Sequence, residues 1–273
     1  FIVVERFAKQ IRAKNILFVV GAGRTKFFTE PNRIVDMPKL TKQQLAKMMD
    51  SSAVRPSSTY SDVRRCCEEA ITYGFNAVSV NSTFVAYAKN LLKNTPVKVV
   101  GNVGFPFGVQ PTDCKLLEAR EIITDGADEI DIVMNIGKFK SGEYDFVEKE
   151  LKQIIDLAAD LGEKMQKKIV TKVIIEIGYL TDEEIIKASK LVSKVGADFV
   201  KTATGFGPRG PTVKDVELIK KGISGKTQIK VAQGIRTFEQ ALSLIKAGAT
   251  RIGTSTPVKI LEGFPANLDA VEI

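Results

Sequence analysis

The sequence contains no histidine among its 273 residues. This absence excludes Ser-His and Cys-His nucleophile pairs, and it excludes metal sites with imidazole ligands. Any proton transfer near neutral pH must therefore use carboxylates, lysines, tyrosines, hydroxyl groups or water. Since no other cluster of metal-ligand type is visible, we predict a protein without a bound metal.

Cysteine is also scarce, with only Cys66, Cys67 and Cys114. An odd number with two adjacent residues gives no disulfide framework, so we predict a reducing compartment and a cytoplasmic protein. No apolar run approaches the ~20 residues that span a bilayer, so no membrane segment is predicted. The chain begins at Phe1 and not at Met. We therefore expect residues before it, which leaves a targeting segment open.

Charge of one sign is not concentrated in any segment, although the formal net charge is +8. Basic residues are dispersed among acidic ones, as in Glu148-Lys149-Glu150, without interleaved aromatic residues. This pattern favours a solvated, mildly basic surface and predicts no nucleic-acid partner. A basic surface leaves open a phosphorylated ligand or an acidic protein partner.

From Asp50 onward, short β-prone runs alternate with helical patterns. The clearest helix covers residues 144–161, and Thr181 and Thr237 begin helices with capping-box spacing. The candidate strands are residues 52–54, 77–80, 97–103, 130–136, 172–177, 199–204, 228–232 and 251–253. Eight such units predict a closed (β/α)8 TIM barrel over residues 41–273. The alternative is a doubly wound sheet, whose usual nucleotide fingerprint is missing.

Residues 1–40 stand apart from this series. Residues 15–20 form an apolar run that ends at Gly21-Ala22-Gly23, similar to the start of a dinucleotide fingerprint. The third glycine and the following βαβ pattern are missing, so we interpret the run as a strand and a turn. We predict an N-terminal extension, residues 1–40, that packs on the barrel. A helix is predicted over residues 41–49.

Three charged residues lie inside apolar strands: Asp131, Lys201 and Lys230. Alternation places Lys201 on the same face as Phe199 and Ala203. A single lysine of this kind is most simply an edge-strand lysine, and three buried charges can form a structural ion-pair network. The alternative is that all three point into the barrel and form one Lys-Lys-Asp cluster with a chemical task.

Such a cluster has a clear chemistry. A lysine beside a second cation, in a partly dry site, has a lowered pKa, so more of it is the free amine. A free amine attacks a carbonyl to form a Schiff base, and the iminium accepts electrons when the neighbouring C–C bond is made or broken. Asp131 and ordered water can shuttle protons. This chemistry needs neither a metal nor an organic cofactor.

Polar, glycine-rich turns follow the last three predicted strands. They are Thr204-Gly205, Gln233-Gly234-Ile235-Arg236 and Gly253-Thr254-Ser255-Thr256. Backbone N–H groups in such turns suit a phosphate, and barrels often bind one at this place. Together the turns predict a small phosphorylated sugar or aldehyde as the ligand.

Several separate motifs resemble deoxyribose-phosphate aldolases. They occupy residues 126–137 (GADEIDIVMNIG), 172–176, 178–184, 197–202 (ADFVKT), 204–207, 234–237 and 247–255. The match runs from about residue 45 to about residue 261 and leaves out the first 40 residues.

The resemblance implies a class I aldolase that reversibly cleaves 2-deoxyribose 5-phosphate to glyceraldehyde 3-phosphate and acetaldehyde, in deoxyribonucleotide catabolism. It implies that Lys201 forms the Schiff base, that Lys230 perturbs it and that Asp131 relays protons. It implies substrate or phosphate contacts at Asp50, Thr204, Gly205, Gln233, Gly234, Arg236, Ser255 and Thr256. We also expect a homo-oligomer, most simply a dimer.

The chain departs from the family pattern around this set. An Asp-His-Thr type segment of the family has Ser51 and Ser52 here, and the lysine that follows it is Arg55. A Cys-Val-Asn-Pro type strand end has Ser79 and Ser82. Ile177 replaces a small polar residue, and Gln233 replaces a glycine. The chain also ends Val271-Glu272-Ile273, without the terminal tyrosine of some members. A second hypothesis is therefore a divergent barrel with little activity that serves as a binding or scaffold protein.

Overall fold

The computed structural model describes residues 16–21, 24–29 and 39–273. Strands β1 (Ile16–Gly21) and β2 (Arg24–Thr29) pair antiparallel. The predicted strand over residues 15–20 is confirmed within one residue, whereas Ala22 and Gly23 of the predicted turn lie outside the described residues. This hairpin belongs to a separate unit from the barrel, and its packing on the barrel stays a prediction.

After the short strand β3 (Lys39–Thr41), eight parallel strands form a closed barrel. They are β4 (Met49–Ala53), β5 (Ala77–Val80), β6 (Lys98–Val103), β7 (Glu129–Val133), β8 (Val170–Ile174), β9 (Phe199–Lys201), β10 (Gln228–Ala232) and β11 (Arg251–Thr254). Each strand pairs with the next, and β11 closes the ring against β4. The predicted TIM barrel is confirmed, and the doubly wound alternative is wrong because an open sheet would have two free edges. A last strand, β12 (Ala270–Glu272), pairs with β3 outside the ring.

Helices precede, connect and follow the barrel strands. They are α1 (Lys42–Lys47), α2 (Tyr60–Tyr73), α3 (Val85–Leu91), α4 (Thr112–Thr124), α5 (Ile136–Lys140), α6 (Tyr144–Lys164), α7 (Asp182–Lys194), α8 (Val213–Gly222), α9 (Phe238–Ala247) and α10 (Pro257–Glu262). The predicted capping boxes of Thr181 with Glu184 and of Thr237 with Gln240 are both present. In the part of the chain that the structure describes, no helix is both long enough and apolar enough to cross a bilayer.

The apolar core lies between the barrel and its helices. On α6, Val147, Leu151, Ile154 and Ala158 are fully buried at helical spacing, as the sequence pattern predicts. Because side chains alternate along a strand, every second strand residue points away from this layer and into the barrel. Several of these inward residues are charged, and burying a charge is costly unless it is paired. The barrel interior is therefore where the fold concentrates its buried charges.

Several strand boundaries differ from the prediction: β7 ends at Val133 and not at residue 136, and β8 covers Val170–Ile174 and not residues 172–177. The differences at β4 and β9 have an identifiable cause. Strand β4 begins at Met49 and not at residue 52, and α1 ends at Lys47. The charged residue Asp50 concealed this strand, because it interrupts the apolar pattern. Strand β9 ends at Lys201 and not at residue 204, because the Thr204 N–H donates to a carboxylate and not to a neighbouring strand.

Candidate active site

A cavity of about 1020 Å³ opens at the C-terminal ends of the barrel strands. Lys201 and Lys230 lie at its floor, and their side chains are 7% and 1% exposed. Asp131 lies beneath them and has no exposed surface. The other predicted contact residues all line the cavity: Asp50, Thr204, Gly205, Gln233, Gly234, Arg236, Ser255 and Thr256. The structure therefore brings the whole predicted set together.

The two lysines at the floor share one carboxylate oxygen. Lys201 Nζ donates to Oδ2 of Asp131 at 2.6 Å, and Lys230 Nζ donates to the same oxygen at 3.0 Å. Lys201 and Lys230 are Cα partners on the adjacent strands β9 and β10. An edge-strand position for Lys201 is excluded, because β9 has a neighbour on each side. The predicted Lys-Lys-Asp cluster is thus formed by side chains that point into the barrel.

Further charges, not predicted as part of the site, hold Asp131 in place. Lys172 donates to Oδ1 of Asp131 at 2.8 Å and lies 2.7 Å from Oε2 of Glu129. Arg251 contacts Asp50 at 3.0 Å and Glu129 at 3.3 Å. Lys172 is the Cα partner of Asp131, and Glu129 lies two residues before Asp131 on the same face. Alternation from Asp131 was the signal that could have found Glu129, whereas Lys172 and Arg251 join the network through the register between neighbouring strands.

The lysines differ in how many carboxylates they contact. Lys230 contacts Asp131 and, at 2.8 Å, Oδ2 of Asp50. Within the described ranges, Lys201 makes an ion pair with Asp131 alone, although it is the more exposed of the two. Lys201 is therefore the lysine that both reaches the cavity and has the fewest groups to stabilise its charge.

Burial and, to a smaller extent, the neighbouring Lys230 lower the pKa of the Lys201 ammonium from 10.5 to about 8, against the attraction of Asp131. Burial alone would raise the pKa of the Asp131 carboxyl. Instead Lys172, Lys201 and Lys230 together hold that pKa well below its usual value. Asp131 thus stays ionised, and the free amine of Lys201 is accessible close to neutral pH.

Comparison with known proteins identifies the family. The family model described as DeoC/LacD family aldolase matches residues 35–262, a span that contains all eight barrel strands and the buried lysines. The chain belongs to the DeoC/LacD aldolase family.

Relatives agree with this family assignment. A protein from Thermococcus kodakarensis named deoxyribose-phosphate aldolase is 47% identical over 228 residues, which cover 83% of this chain and 99% of the relative. The solved structure of the aldolase QR15 is 41% identical, with a TM-score of 0.74. The match covers 81% of this chain and 95% of the QR15 chain. The structure of deoxyribose phosphate aldolase from Aeropyrum pernix, described as having a unique tetrameric structure, is 31% identical with a TM-score of 0.74. The match covers 84% of this chain and 94% of the Aeropyrum pernix chain. These similarities support an aldolase, and hence a lyase, over a scaffold protein.

In this aldolase, left-handed residues shape the turns at the predicted phosphate site. Gly205, Gln233 and Gly234 have φ angles of 102°, 83° and 76°. Glycine adopts this conformation freely, whereas glutamine does so at a cost of roughly 1 kcal/mol. The Gln233 side chain extends to the loop after β9, where Nε2 donates to the carbonyl oxygen of Gly207 at 2.8 Å. This departure from the family pattern therefore joins two neighbouring loops of the rim.

Glu176 is a buried residue of the aldolase barrel to which the sequence pattern assigned no role. It is 2% exposed and has a left-handed φ of 50°. Its Oε2 accepts a hydrogen bond from the Thr204 N–H at 3.0 Å and another from the Thr204 hydroxyl. Burial raises the pKa of the Glu176 carboxyl, and the bonds from Thr204 oppose this rise. The one signal for Glu176 in the sequence was its position inside the family motif of residues 172–176.

The cavity wall across from Lys201 is polar. It contains Ser52, Ser79 and Asn102, from strands β4, β5 and β6. Strand β5 lies four positions from β9 in either direction around the ring, so Ser79 and Lys201 come from opposite strands. Asn102 Nδ2 donates to Val80 O at 2.8 Å and to Ser79 Oγ at 3.3 Å. Two departures of this aldolase from the family pattern, Ser52 and Ser79, therefore contribute directly to the cavity surface.

Other departures lie off this surface. Of the departures, Arg55 lines the cavity. The described residues that line it do not include Ser51, Ser82, Ile177 or residues 271–273. Ser51 and Ile177 are buried, and residues 270–272 form β12. The changes at Ser51, Ser82, Ile177 and the C-terminal residues therefore leave the lining of the aldolase cavity unaltered, whereas Arg55 is part of it.

Proposed function

We propose that this aldolase reversibly cleaves 2-deoxyribose 5-phosphate to glyceraldehyde 3-phosphate and acetaldehyde through a Schiff base on Lys201. The observation that supports it most is the Lys201 side chain, which reaches the cavity, contacts Asp131 at 2.6 Å and has a pKa of about 8. The name of the Thermococcus relative points to the same substrate. The chemistry needs no metal and no organic cofactor, because the iminium itself accepts the electrons.

The reaction begins when the free amine of Lys201 adds to C1 of the open-chain sugar, and loss of water gives an iminium. Removal of the proton from the C3 hydroxyl then breaks the C2–C3 bond. Glyceraldehyde 3-phosphate leaves, and the electron pair of the broken bond forms an enamine at C1 and C2. Protonation of C2 restores an iminium, and water releases acetaldehyde and the free amine. The same steps in reverse add acetaldehyde to the phosphorylated aldehyde.

Lys230 and Asp131 act on the nucleophile in this proposal. Lys230 lowers the pKa of Lys201 by repulsion between the two positive charges, which lie close together because both ammonium groups contact Oδ2 of Asp131. Asp131 positions both amines, and Asp50 positions Lys230 from the other side at 2.8 Å. Three lysines hold the Asp131 pKa low, which makes this carboxylate a weak base. Its part in proton relay stays a prediction.

The phosphate is assigned to the turns at the ends of β9, β10 and β11. Gly205 and Gly234 have left-handed backbones and lie on the cavity rim, where backbone N–H groups suit a phosphate. Ser255, Thr256 and Arg236 add hydroxyl and guanidinium donors on the same rim. This arrangement supports a phosphorylated substrate, with the reacting carbonyl at the lysine floor.

Borohydride trapping tests the covalent step. The protein is incubated with 2-deoxyribose 5-phosphate and sodium borohydride, and peptides are analysed by mass spectrometry. We expect an adduct on Lys201 and no adduct in the Lys201→Arg variant. A folded protein that turns over the sugar without an adduct on Lys201 would reject the Schiff base. A folded protein without turnover would reject the substrate.

We further propose that this aldolase is a cytoplasmic homo-oligomer. The tetrameric description of the Aeropyrum pernix relative supports an assembly of more than one chain. Analytical ultracentrifugation measures the number of chains directly, and a monomer at micromolar concentration contradicts the proposal. The dimer and an acidic protein partner stay predictions.

A further inference from the structure

The turn after β9, residues 204–207, is bound to a single carboxylate. Glu176 Oε2 accepts the Thr204 N–H at 3.0 Å and also accepts the Thr204 hydroxyl. The oxygen of that hydroxyl accepts the Phe206 N–H at 3.0 Å. The donors of Thr204 and Phe206 are therefore used inside the protein. This leaves the N–H of Gly205, which lies between them on the cavity rim, for a ligand.

The backbone around Glu176 is fixed to the catalytic strand. Ile175 N–H donates to the carbonyl oxygen of Lys201 at 3.0 Å, and Ile177 N–H donates to that of Thr202 at 2.9 Å. Between them, Glu176 has a left-handed φ of 50°, a strained conformation for any residue with a side chain. The side chain is thereby aimed at the turn by hydrogen bonds on both sides.

Gly207 shows how closely the turn fits. A Cβ atom built on Gly207 would lie 2.5 Å from Oε1 of Glu176, so any residue larger than glycine would displace the carboxylate. On its other side, the Gly207 carbonyl accepts from Gln233 Nε2 at 2.8 Å. The turn is therefore held between Glu176, two residues after β8, and Gln233, which directly follows β10.

The cost of this arrangement indicates a function. Oε1 of Glu176 is buried, and no donor in the described part of the chain reaches it. A buried carboxylate with one unpartnered oxygen is unfavourable for folding. Because all of its hydrogen bonds go to Thr204, the benefit must come from what the turn does.

We infer that Glu176 is a positioning residue for the phosphate of the substrate. By accepting both donors of Thr204, it fixes the turn so that the Gly205 N–H is directed to the phosphate. A carboxylate suits this task because it is only an acceptor and offers the anionic substrate no competing donor. The inference rests on the proposed function, since it places a phosphorylated sugar in this cavity. Glu176 itself touches no reacting atom.

Kinetics with two sugars test this role. Substrates are 2-deoxyribose 5-phosphate and unphosphorylated 2-deoxyribose, and variants are Glu176→Leu, which removes both oxygens, and Glu176→Gln, which keeps one. We expect KM for the phosphorylated sugar to rise about tenfold in Glu176→Leu and about threefold in Glu176→Gln. For the unphosphorylated sugar, kcat/KM should change less than about twofold, because the Lys201 chemistry is unaffected.

Glu184 provides a matched control. Its Oε2 accepts the Thr181 N–H at 2.8 Å in the capping box of α7, a bond of the same kind away from the cavity lining. Glu184→Gln should leave KM for both sugars unchanged. Equal losses for the two sugars in the Glu176 variants overturn the inference.

A second variant covers the case in which Glu176→Leu does not fold. Thr204→Val removes the hydroxyl donor to Glu176 and should produce the same difference between the sugars, whereas equal effects on both overturn the inference. Wild-type protein without turnover and without an adduct overturns the proposed function as well. If the wild-type protein turns over the sugar but the variants lose activity equally on both sugars, only the role of Glu176 is overturned.

Discussion

Lys201 and Lys230 are Cα partners on adjacent parallel strands, and both ammonium groups reach the same oxygen of Asp131. Parallel register therefore fixes the second cation beside the first without any contribution from a loop. Burial and this neighbouring cation act in the same direction on the pKa of Lys201, which falls to about 8. The nucleophile is thus sensitive to pH in a range where ordinary lysines are fully protonated.

The rate of reductive trapping should rise with pH through a midpoint near 8. The free amine is the reactive form, and its fraction increases as the pH passes the Lys201 pKa of about 8. Well below the midpoint, the trapping rate should fall about tenfold per pH unit. The measurement is the initial rate of labelling by acetaldehyde and cyanoborohydride over a pH series. A midpoint at the ordinary lysine value of 10.5 would contradict the lowered pKa.

Lys230→Met should raise the midpoint of this trapping curve above 8, because it removes a cation that lowers the pKa of Lys201. Lys115→Met is the matched control. Lys115 is also fully buried and pairs with Glu150 at 2.7 Å, but it does not line the cavity. The control should lose stability and keep the midpoint. If both variants keep it, Lys230 has no influence on the nucleophile.

Lys172→Met should be strongly destabilising, because it leaves Asp131 and Glu129 without their shared cation inside the barrel. Breaking a buried ion pair from one side costs about 3–5 kcal/mol in the free energy of unfolding. Lys168→Met removes an exposed pair with Asp198 and should cost less than about 1 kcal/mol. Urea unfolding of the two variants measures the contrast. Equal losses would show that the barrel network adds nothing beyond a surface pair.

Gln233→Gly should lower KM for 2-deoxyribose 5-phosphate about threefold or more and leave kcat unchanged, because the backbone can then approach the phosphate more closely. Relief of the left-handed backbone, worth roughly 1 kcal/mol, should offset the lost hydrogen bond to Gly207, so stability should change little. Gln233→Asn retains an amide side chain and should not lower KM. Unchanged kinetics in Gln233→Gly would reject this explanation.

The barrel and its central lysines were predictable because their signals are local. Each strand and helix has its own period, and a lysine such as Lys201 is conspicuous inside an apolar run. Glu129, Lys172 and Arg251 were missed because they stand at the edges of the predicted strands, where charged residues are ordinary. Their burial depends on the register with neighbouring strands, which brings Lys172 opposite Asp131. Register is a property of the assembled sheet and not of any one segment.

The rim was less predictable than the floor. Glu176 and Gln233 have left-handed backbones, with φ angles of 50° and 83°, that no sequence preference requires. Both conformations are held by contacts to the turn after β9, which lies 26 or more residues away in the sequence. The pattern could therefore show that Gln233 differs from the family, but it could not show that its side chain extends to Gly207.

The interior of the barrel also has a charge balance. Within the described residues, the ion-pair network around Asp131 joins four cationic side chains to three carboxylates, namely Lys172, Lys201, Lys230 and Arg251 with Asp50, Glu129 and Asp131. When all are ionised, the group carries one surplus positive charge in a medium of low permittivity. Loss of the proton from Lys201 makes the group electroneutral, and iminium formation returns the surplus to the same nitrogen. This network is therefore neutral when the amine is ready to attack. The charge that reappears on the iminium is the one that withdraws electrons from the C2–C3 bond.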